Sequence, residues 1–261
     1  MFDKVSFIVA GAQKGGTTAL DHYLREHPEL CLPTFPQIRQ AIVVAGRLSG
    51  EVHFFDTNKY FTVEPIDYSP YHACFEPRPP QRLIGEVTPS YMYWPTAAER
   101  IARYNAAMKI IVVLRNPITR AFSQWNMSRQ HRHEPLPFIE ALRAEPERQR
   151  NLPPKRANRF SYIERGFYVG QLQRLWHYFP VEQTRVFRSE ELLGQPNDVL
   201  ARIADFLRIA PFPPLVEKTV HAGEYATTMS ADEKRYLIGV FEQEIHDLER
   251  LLGWDCSAWL Q

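Results

Sequence analysis

Three short stretches of this chain hold residue types that can do chemistry together. Gly11–Thr18 reads GAQKGGTT, one lysine among glycines with two threonines at the close. An apolar run precedes it and a helical pattern follows, so it joins a strand to a helix N-terminus. Backbone N–H groups at such a junction, with glycines that permit close approach, suit a phosphate. The second stretch, Arg115-Asn116-Pro117, follows the apolar run KIIVVL and opens a helix that carries Ser123. A guanidinium at the carboxyl end of a buried strand can give a phosphate two charge-assisted hydrogen bonds. Ser123, in the second turn, can donate to the same group. The third stretch, Glu51–Asp56, reads EVHFFD. As a strand it would turn Glu51 and His53 to one face and Phe54 to the other. It is either a proton-handling group or a strand with two aromatic core residues and exposed polar partners.

The first loop departs from the nucleoside-triphosphate pattern G-x-x-x-x-G-K-[ST] in one position. Gly11, Gly16 and Thr18 match, but Thr17 stands where the lysine belongs and Lys14 lies earlier. That lysine normally reaches the β- and γ-phosphates, and the hydroxyl after it holds magnesium. A donor with one phosphate linked to one sulfate has no γ-phosphate to reach. Its transferring group carries less charge, so a metal clamp is less necessary. Lys14 can instead neutralise the oxygen that departs. A metal-dependent P-loop kinase fits poorly. A catalytically inactive nucleotide-binding scaffold would keep Lys14 and Arg115 without needing Glu51.

Elements must exist to position these groups. Ser6–Ala10, Arg82–Gly85, Lys109–Leu114 and, more weakly, Thr184–Phe187 read as strands buried on both faces. Helices are expected at Thr17–Glu26, Thr96–Arg103, Ile118–Arg129, Tyr162–Tyr178, Asn197–Leu207 and Ala231–Leu252. Ser230 would cap the last helix and Gly253 would close it. Alternating strands and helices predict an α/β fold: one P-loop-like domain over residues 1–261, its central parallel sheet flanked by helices. Leu32–Gly50 shows few helix signals, and His131–Arg159 reads as a charged surface excursion.

A net charge of +1 over 261 residues gives no footprint for sequence-blind nucleic-acid binding. Cys31, Cys74 and Cys256 have no zinc spacing, which suits reduced thiols. No stretch approaches the roughly 20 apolar residues of a membrane span, and the short apolar start runs straight into the glycine loop. A cytoplasmic protein is expected.

Taken together, the motifs resemble the family of sulfotransferases that use 3′-phosphoadenosine-5′-phosphosulfate (PAPS), in the branch of heparan sulfate sulfotransferases and related bacterial enzymes. The family's K-x-G-T-T loop, which holds the 5′-phosphosulfate, is matched by Lys14, Gly15, Gly16, Thr17 and Thr18. Its L-R-N-P strand end and helical serine, which hold the 3′-phosphate, are matched by Arg115 and Ser123. Gly85–Pro95 (GEVTPSYMYWP) resembles G-E-K-T-P-S-Y. Tyr162–Pro180 resembles the R-G-x-Y-x-x-x-L helix, with Tyr168 beside the nucleotide, and Met229–Trp254 resembles the last helix. EVHFFD resembles the segment that supplies the catalytic base. The resemblance makes Glu51 that base, with His53 as the alternative, and has His53 and Asp56 assist or orient the acceptor. It implies PAPS as donor, 3′,5′-adenosine bisphosphate as product, no metal, and a small-molecule or carbohydrate acceptor with a hydroxyl or amine.

Two departures bear on the acceptor. The family usually places lysine before this glutamate and third in G-E-K-T-P, where Gly50 and Val87 stand here. Their absence weighs against an acidic polysaccharide. His221–Tyr225 (HAGEY) takes the place of a lysine-glycine-arginine loop over the nucleotide. Tyr91, Tyr93 and Trp94 are candidates for an acceptor wall or for core packing.

Overall fold

The computed structural model describes residues 4–41, 50–213 and 227–261. Its strands are β1 (Phe7–Gly11), β2 (Leu30–Cys31), β3 (Leu83–Val87), β4 (Lys109–Leu114) and β5 (Thr184–Arg188). They form one sheet in the order β2-β3-β1-β4-β5, and every ladder is parallel. The central strands are apolar on both faces, as burial on both sides requires. Phe7 and Val9 pack with Ile111, Val113 and Phe187, while Ile8, Ala10, Ile110 and Val112 are buried on the opposite side.

The described helices are α1 (Thr17–Arg25), α2 (Phe35–Ala41), α3 (Ser69–His72), α4 (Ala97–Tyr104), α5 (Pro117–Gln130), α6 (Phe138–Asn151), α7 (Pro154–Ala157), α8 (Tyr168–Tyr178), α9 (Ser189–Gly194), α10 (Pro196–Leu207) and α11 (Ala231–Leu252). Among the described residues, no helix is long and apolar enough to cross a membrane. The chain divides into two compact units: Met1–Leu114 with Arg174–Val220, and Arg115–Gln173 with His221–Gln261. The first holds the whole sheet. Its core joins the strand side chains above to Leu20 and Leu24 of α1 and to Val199, Leu200 and Ile203 of α10. The second is helical, and α5 is its most buried element.

β4 and α11 fall at their expected bounds. Ser230 caps α11 by accepting from the Glu233 N–H at 3.2 Å, and the Glu233 carboxylate accepts from the Ser230 N–H at 2.8 Å. Gly253 closes that helix with φ 66°. Three expectations are corrected. Tyr162–Tyr178 is not one helix, because α8 begins only at Tyr168. The Tyr162 carbonyl is taken by the buried Arg120 guanidinium, and Glu145 takes the Ile163 and Glu164 N–H groups. His131–Arg159 is no simple surface excursion, since α6 lays Phe138 against Phe122 and Trp125 of α5. Leu32–Gly50 contains α2, whose Pro36 sits in the first turn where its missing N–H costs nothing.

The close pairing of β1 and β3 depends on Gly85, where an added Cβ would stand 2.1 Å from a Phe7 ring carbon. Gly85→Ala should therefore lose roughly 3 kcal/mol of stability, the upper range for overpacking a core. Urea unfolding checks this, and adding Phe7→Leu should restore part of the loss.

Candidate active site

The glycine loop is shaped by contacts at the end of β4. Beyond β1, the Ala12 N–H donates to the Val113 carbonyl at 2.8 Å, and the Gly15 N–H donates to the Ala12 carbonyl at 2.8 Å. A Cβ on Gly15 would lie 2.3 Å from the Val113 oxygen, so only glycine lets the loop settle there. Lys14 and Gly16 both adopt positive φ, 68° and 104°, which turns the chain into α1 at Thr17. Gly16 is the N-cap and places no side chain over the first helical turn, which also contains no acidic residue. A tight backbone cradle, a lysine and the positive end of a helix fit an anion.

The segment after β3 reaches the same edge of the sheet. The Thr88 N–H donates to the Val9 carbonyl at 3.0 Å, and the Met92 N–H to that of Ala10 at 2.8 Å. Thr88, Ser90 and Tyr91 thus run beside the end of β1, where the glycine loop begins.

Glu51–Asp56 is not a strand, so side-chain alternation does not bring its polar groups together. His53 instead has φ 54°, a left-handed conformation costly for a residue with a side chain. Its neighbours hold it there. The Val52 N–H donates to Thr88 Oγ1 at 3.1 Å, the Phe54 N–H to the Tyr91 hydroxyl at 3.0 Å, and the Thr57 hydroxyl to the His53 carbonyl at 2.6 Å. Phe54 is stacked on Tyr60 and Tyr71, with ring centroids 4.6 and 5.0 Å away.

The turn leaves the imidazole between two carboxylates. Nε2 lies 2.7 Å from Glu51 Oε2 and Nδ1 lies 2.7 Å from Asp56 Oδ2. The Ser90 hydroxyl donates to that same Asp56 oxygen and lies 3.3 Å from Nδ1. Only the Glu51 end of the row is open: the side chains of Glu51, His53 and Asp56 are 32, 8 and 10 % exposed. Burial alone would lower the histidine pKa, but hydrogen bonds and charge from Asp56 and Glu51 outweigh it and raise the group to about 8. At neutral pH an imidazolium therefore bridges the carboxylates, and Glu51 is the end that meets solvent.

The sequence reading missed Glu86, a fully buried carboxylate in β3. It accepts from the Tyr71 hydroxyl at 2.6 Å, from Thr88 Oγ1 at 2.7 Å and from the Tyr91 hydroxyl at 3.3 Å. A carboxylate amid the apolar run LIGEV was the available signal, because a buried charge must be satisfied by fixed donors. The same contacts place Tyr91 in the core, and Trp94 is buried too, while Tyr93 is half-buried.

Arg115, Ser123 and Tyr168 belong to the helical unit. Arg115 directly follows β4, is half-buried, and donates through Nε to Thr119 Oγ1 at 3.0 Å. Asn116 caps α5 by accepting from the Ile118 N–H at 2.9 Å. Ser123 is buried in the second turn of that helix. Tyr168 is fully buried, and its hydroxyl donates to the Arg115 carbonyl at 2.8 Å, so it braces the arginine backbone. The HAGEY segment, His221–Tyr225, lies outside the described residues.

Residues 4–228 match the model of the sulfotransferase domain. The chain belongs to the sulfotransferase family. Mouse heparan sulfate glucosamine 3-O-sulfotransferase 5 is 27% identical over 207 residues, covering 78% of this chain and 53% of the relative. Mouse heparan sulfate glucosamine 3-O-sulfotransferase 3B1 is 30% identical over 207 residues, covering 77% and 45%. The chain thus spans about half the length of these curated relatives. The crystal structure of a sulfotransferase from Alicyclobacillus acidocaldarius superposes with a TM-score of 0.76 at 27% identity, covering 99% of this chain and all of that one.

The imidazolium bridge makes stability depend on pH in a definite direction. His53 holds its proton more tightly when folded, about 8 against 6.5, so its contribution is complete below 6.5 and is lost as pH rises through 8. Between about pH 6 and pH 9 the native protein should lose about 2 kcal/mol more stability than His53→Gln. Denaturant titrations of both proteins at the two pH values measure the difference.

Proposed function

We propose that this sulfotransferase moves a sulfuryl group from PAPS to a hydroxyl or amine of a carbohydrate or small-molecule acceptor. The reading rests chiefly on one observation: Glu51, the solvent-facing end of a buried carboxylate–imidazole row, lies in the unit that carries the glycine loop. The donor supplies an activated sulfur whose leaving group is a phosphate oxygen. The Lys14–Thr18 loop binds that phosphate, and Lys14 offsets the charge that gathers on the bridging oxygen as its bond to sulfur breaks. Glu51 takes the acceptor proton as the acceptor oxygen or nitrogen forms its bond to sulfur. His53, held by Asp56, keeps the Glu51 carboxylate aimed outward. Arg115 and Ser123 bind the 3′-phosphate, with Tyr168 acting through the Arg115 backbone. The product is 3′,5′-adenosine bisphosphate, and no step calls for a metal ion.

A carbohydrate acceptor is favoured because curated relatives are named for sulfation of glucosamine in heparan sulfate. Val87 is buried and Gly50 has no side chain, so neither adds a cation. Without those two cations, a less charged sugar than a fully sulfated chain is the better fit.

Two measurements test the reading. By calorimetry in chelator, 3′,5′-adenosine bisphosphate should bind more tightly than AMP, and Arg115→Ala should lose roughly 2 kcal/mol of that binding. Equal affinity for the two nucleotides would remove the 3′-phosphate site. In single turnovers from labelled PAPS to a panel of glucosamine oligosaccharides, phenols and amines, Glu51→Gln should bind donor normally. It should transfer on the order of 100-fold more slowly. Lys14→Ala should weaken both binding and transfer. Wild-type transfer by Glu51→Gln would exclude Glu51 as the base and turn attention to His53.

A further inference from the structure

We propose that Glu86 is a positioning residue, which sets the conformation of His53 through the hydroxyls of Thr88 and Tyr91. The inference rests on the active-site reading above for its catalytic consequence, but not for its geometry.

The argument is one of hydrogen-bond polarity. Above about pH 7 Glu86 is ionised, and an ionised carboxylate only accepts. Each hydroxyl facing Glu86 must therefore spend its single proton there, as Tyr71, Thr88 and Tyr91 do. A hydroxyl whose proton is committed has only lone pairs left to offer. Those of Thr88 and Tyr91 accept the backbone N–H groups of Val52 and Phe54, at 3.1 and 3.0 Å. These are the residues on either side of His53, whose left-handed backbone is otherwise unfavourable. The carboxylate thus orients two relays that grip the chain before and after the histidine.

The arrangement is buried throughout. Glu86, Thr88 and Tyr91 have no solvent exposure, so no water competes for these hydroxyls. Burial pushes the Glu86 carboxyl up to about 7, against three hydroxyl hydrogen bonds and nearby His53, which favour the charged form. Tyr71, Tyr91, Tyr104 and Cys74 are the other titratable groups that feel its charge, and burial holds each of them neutral. A carboxylate placed here only to fill the strand would be a costly choice. Its use is to dictate which way the protons point.

The discriminating pair is Thr88→Val, which keeps the shape and deletes the hydroxyl, and Thr88→Ser, which does the reverse. The first readout is the NMR titration of His53 in the full chain. Loosening the turn separates the imidazole from Glu51 and Asp56, so its pKa should drop from about 8 toward 6.5 in Thr88→Val and stay in place in Thr88→Ser. The second readout is single-turnover transfer at saturating PAPS, with the glucosamine oligosaccharides as acceptor. Thr88→Val should be about tenfold slower with donor affinity unchanged, and Thr88→Ser should match wild type. Adding Glu86→Gln to Thr88→Val should cost less than it does alone, because the two act along one path.

A purely structural threonine would give the opposite ranking, with Thr88→Val tolerated and Thr88→Ser weakened. An unchanged His53 titration in Thr88→Val overturns the inference. Glu51→Gln in the same assay separates the two ideas: if it is slow while Thr88→Val is fast, positioning fails alone. If it transfers normally, the base assignment fails, and the His53 titration still decides the positioning.

Discussion

Parallel pairing of β1 with both β3 and β4 governs everything at the site. Three strands running the same way end on one edge of the sheet. β1 releases the glycine loop, β3 releases Thr88, Ser90 and Tyr91, and β4 supplies the Val113 carbonyl against which the glycine loop rests. The ladders continue past the regular strands as individual bonds, Thr88 to Val9, Met92 to Ala10 and Ala12 to Val113. The glycine loop is therefore anchored to its neighbours before any ligand arrives. Gly15 shows how closely: the carbonyl of β4 occupies the space a side chain would need.

The histidine at the centre of the row has a different task from the groups around it. A base that must meet an acceptor needs exposure, while an orienting group needs burial and fixed partners. On the proposed reading Glu51 and His53 divide those requirements, the carboxylate partly exposed and the imidazole enclosed. Because His53 bears the charge at neutral pH, both carboxylates can be held by one residue without repelling each other freely. Aromatic packing of Phe54 and the backbone bonds of Val52 and Phe54 then fix a turn that the segment would not choose alone.

The fold was legible wherever local pattern and tertiary demand agree. KIIVVL could only be a doubly buried strand, and Ser230 with Glu233 marks a helix start by its own chemistry. β2 was invisible because two residues carry no period. α6 was hidden by its charge: Arg148 and Arg150 read as surface, yet Arg148 lies against the buried Glu134 carboxylate. At the candidate site the sequence offered residues to choose from, but not their geometry. Glu51, His53 and Asp56 could be chosen by type and resemblance, but alternation along a strand was the wrong reason for their meeting. A left-handed histidine cannot be read from EVHFFD, because long-range hydroxyls impose it. Glu86 carried a signal that strand assignment alone passes over, a charged residue where only apolar ones are comfortable.

The two margins of the sheet are unequal in form but similar in effect. β2 offers a neighbour only two residues of open ladder. β5 is longer, yet Arg185 folds its guanidinium over the Phe206 ring at 4.7 Å, and Arg188 pairs with Glu191. Short length guards one margin and cationic side chains the other, the usual means by which sheets avoid growing into one another. Among the described residues, a second copy of this chain would find little purchase for strand addition at either margin, so growth of the sheet by edge-to-edge pairing is disfavoured.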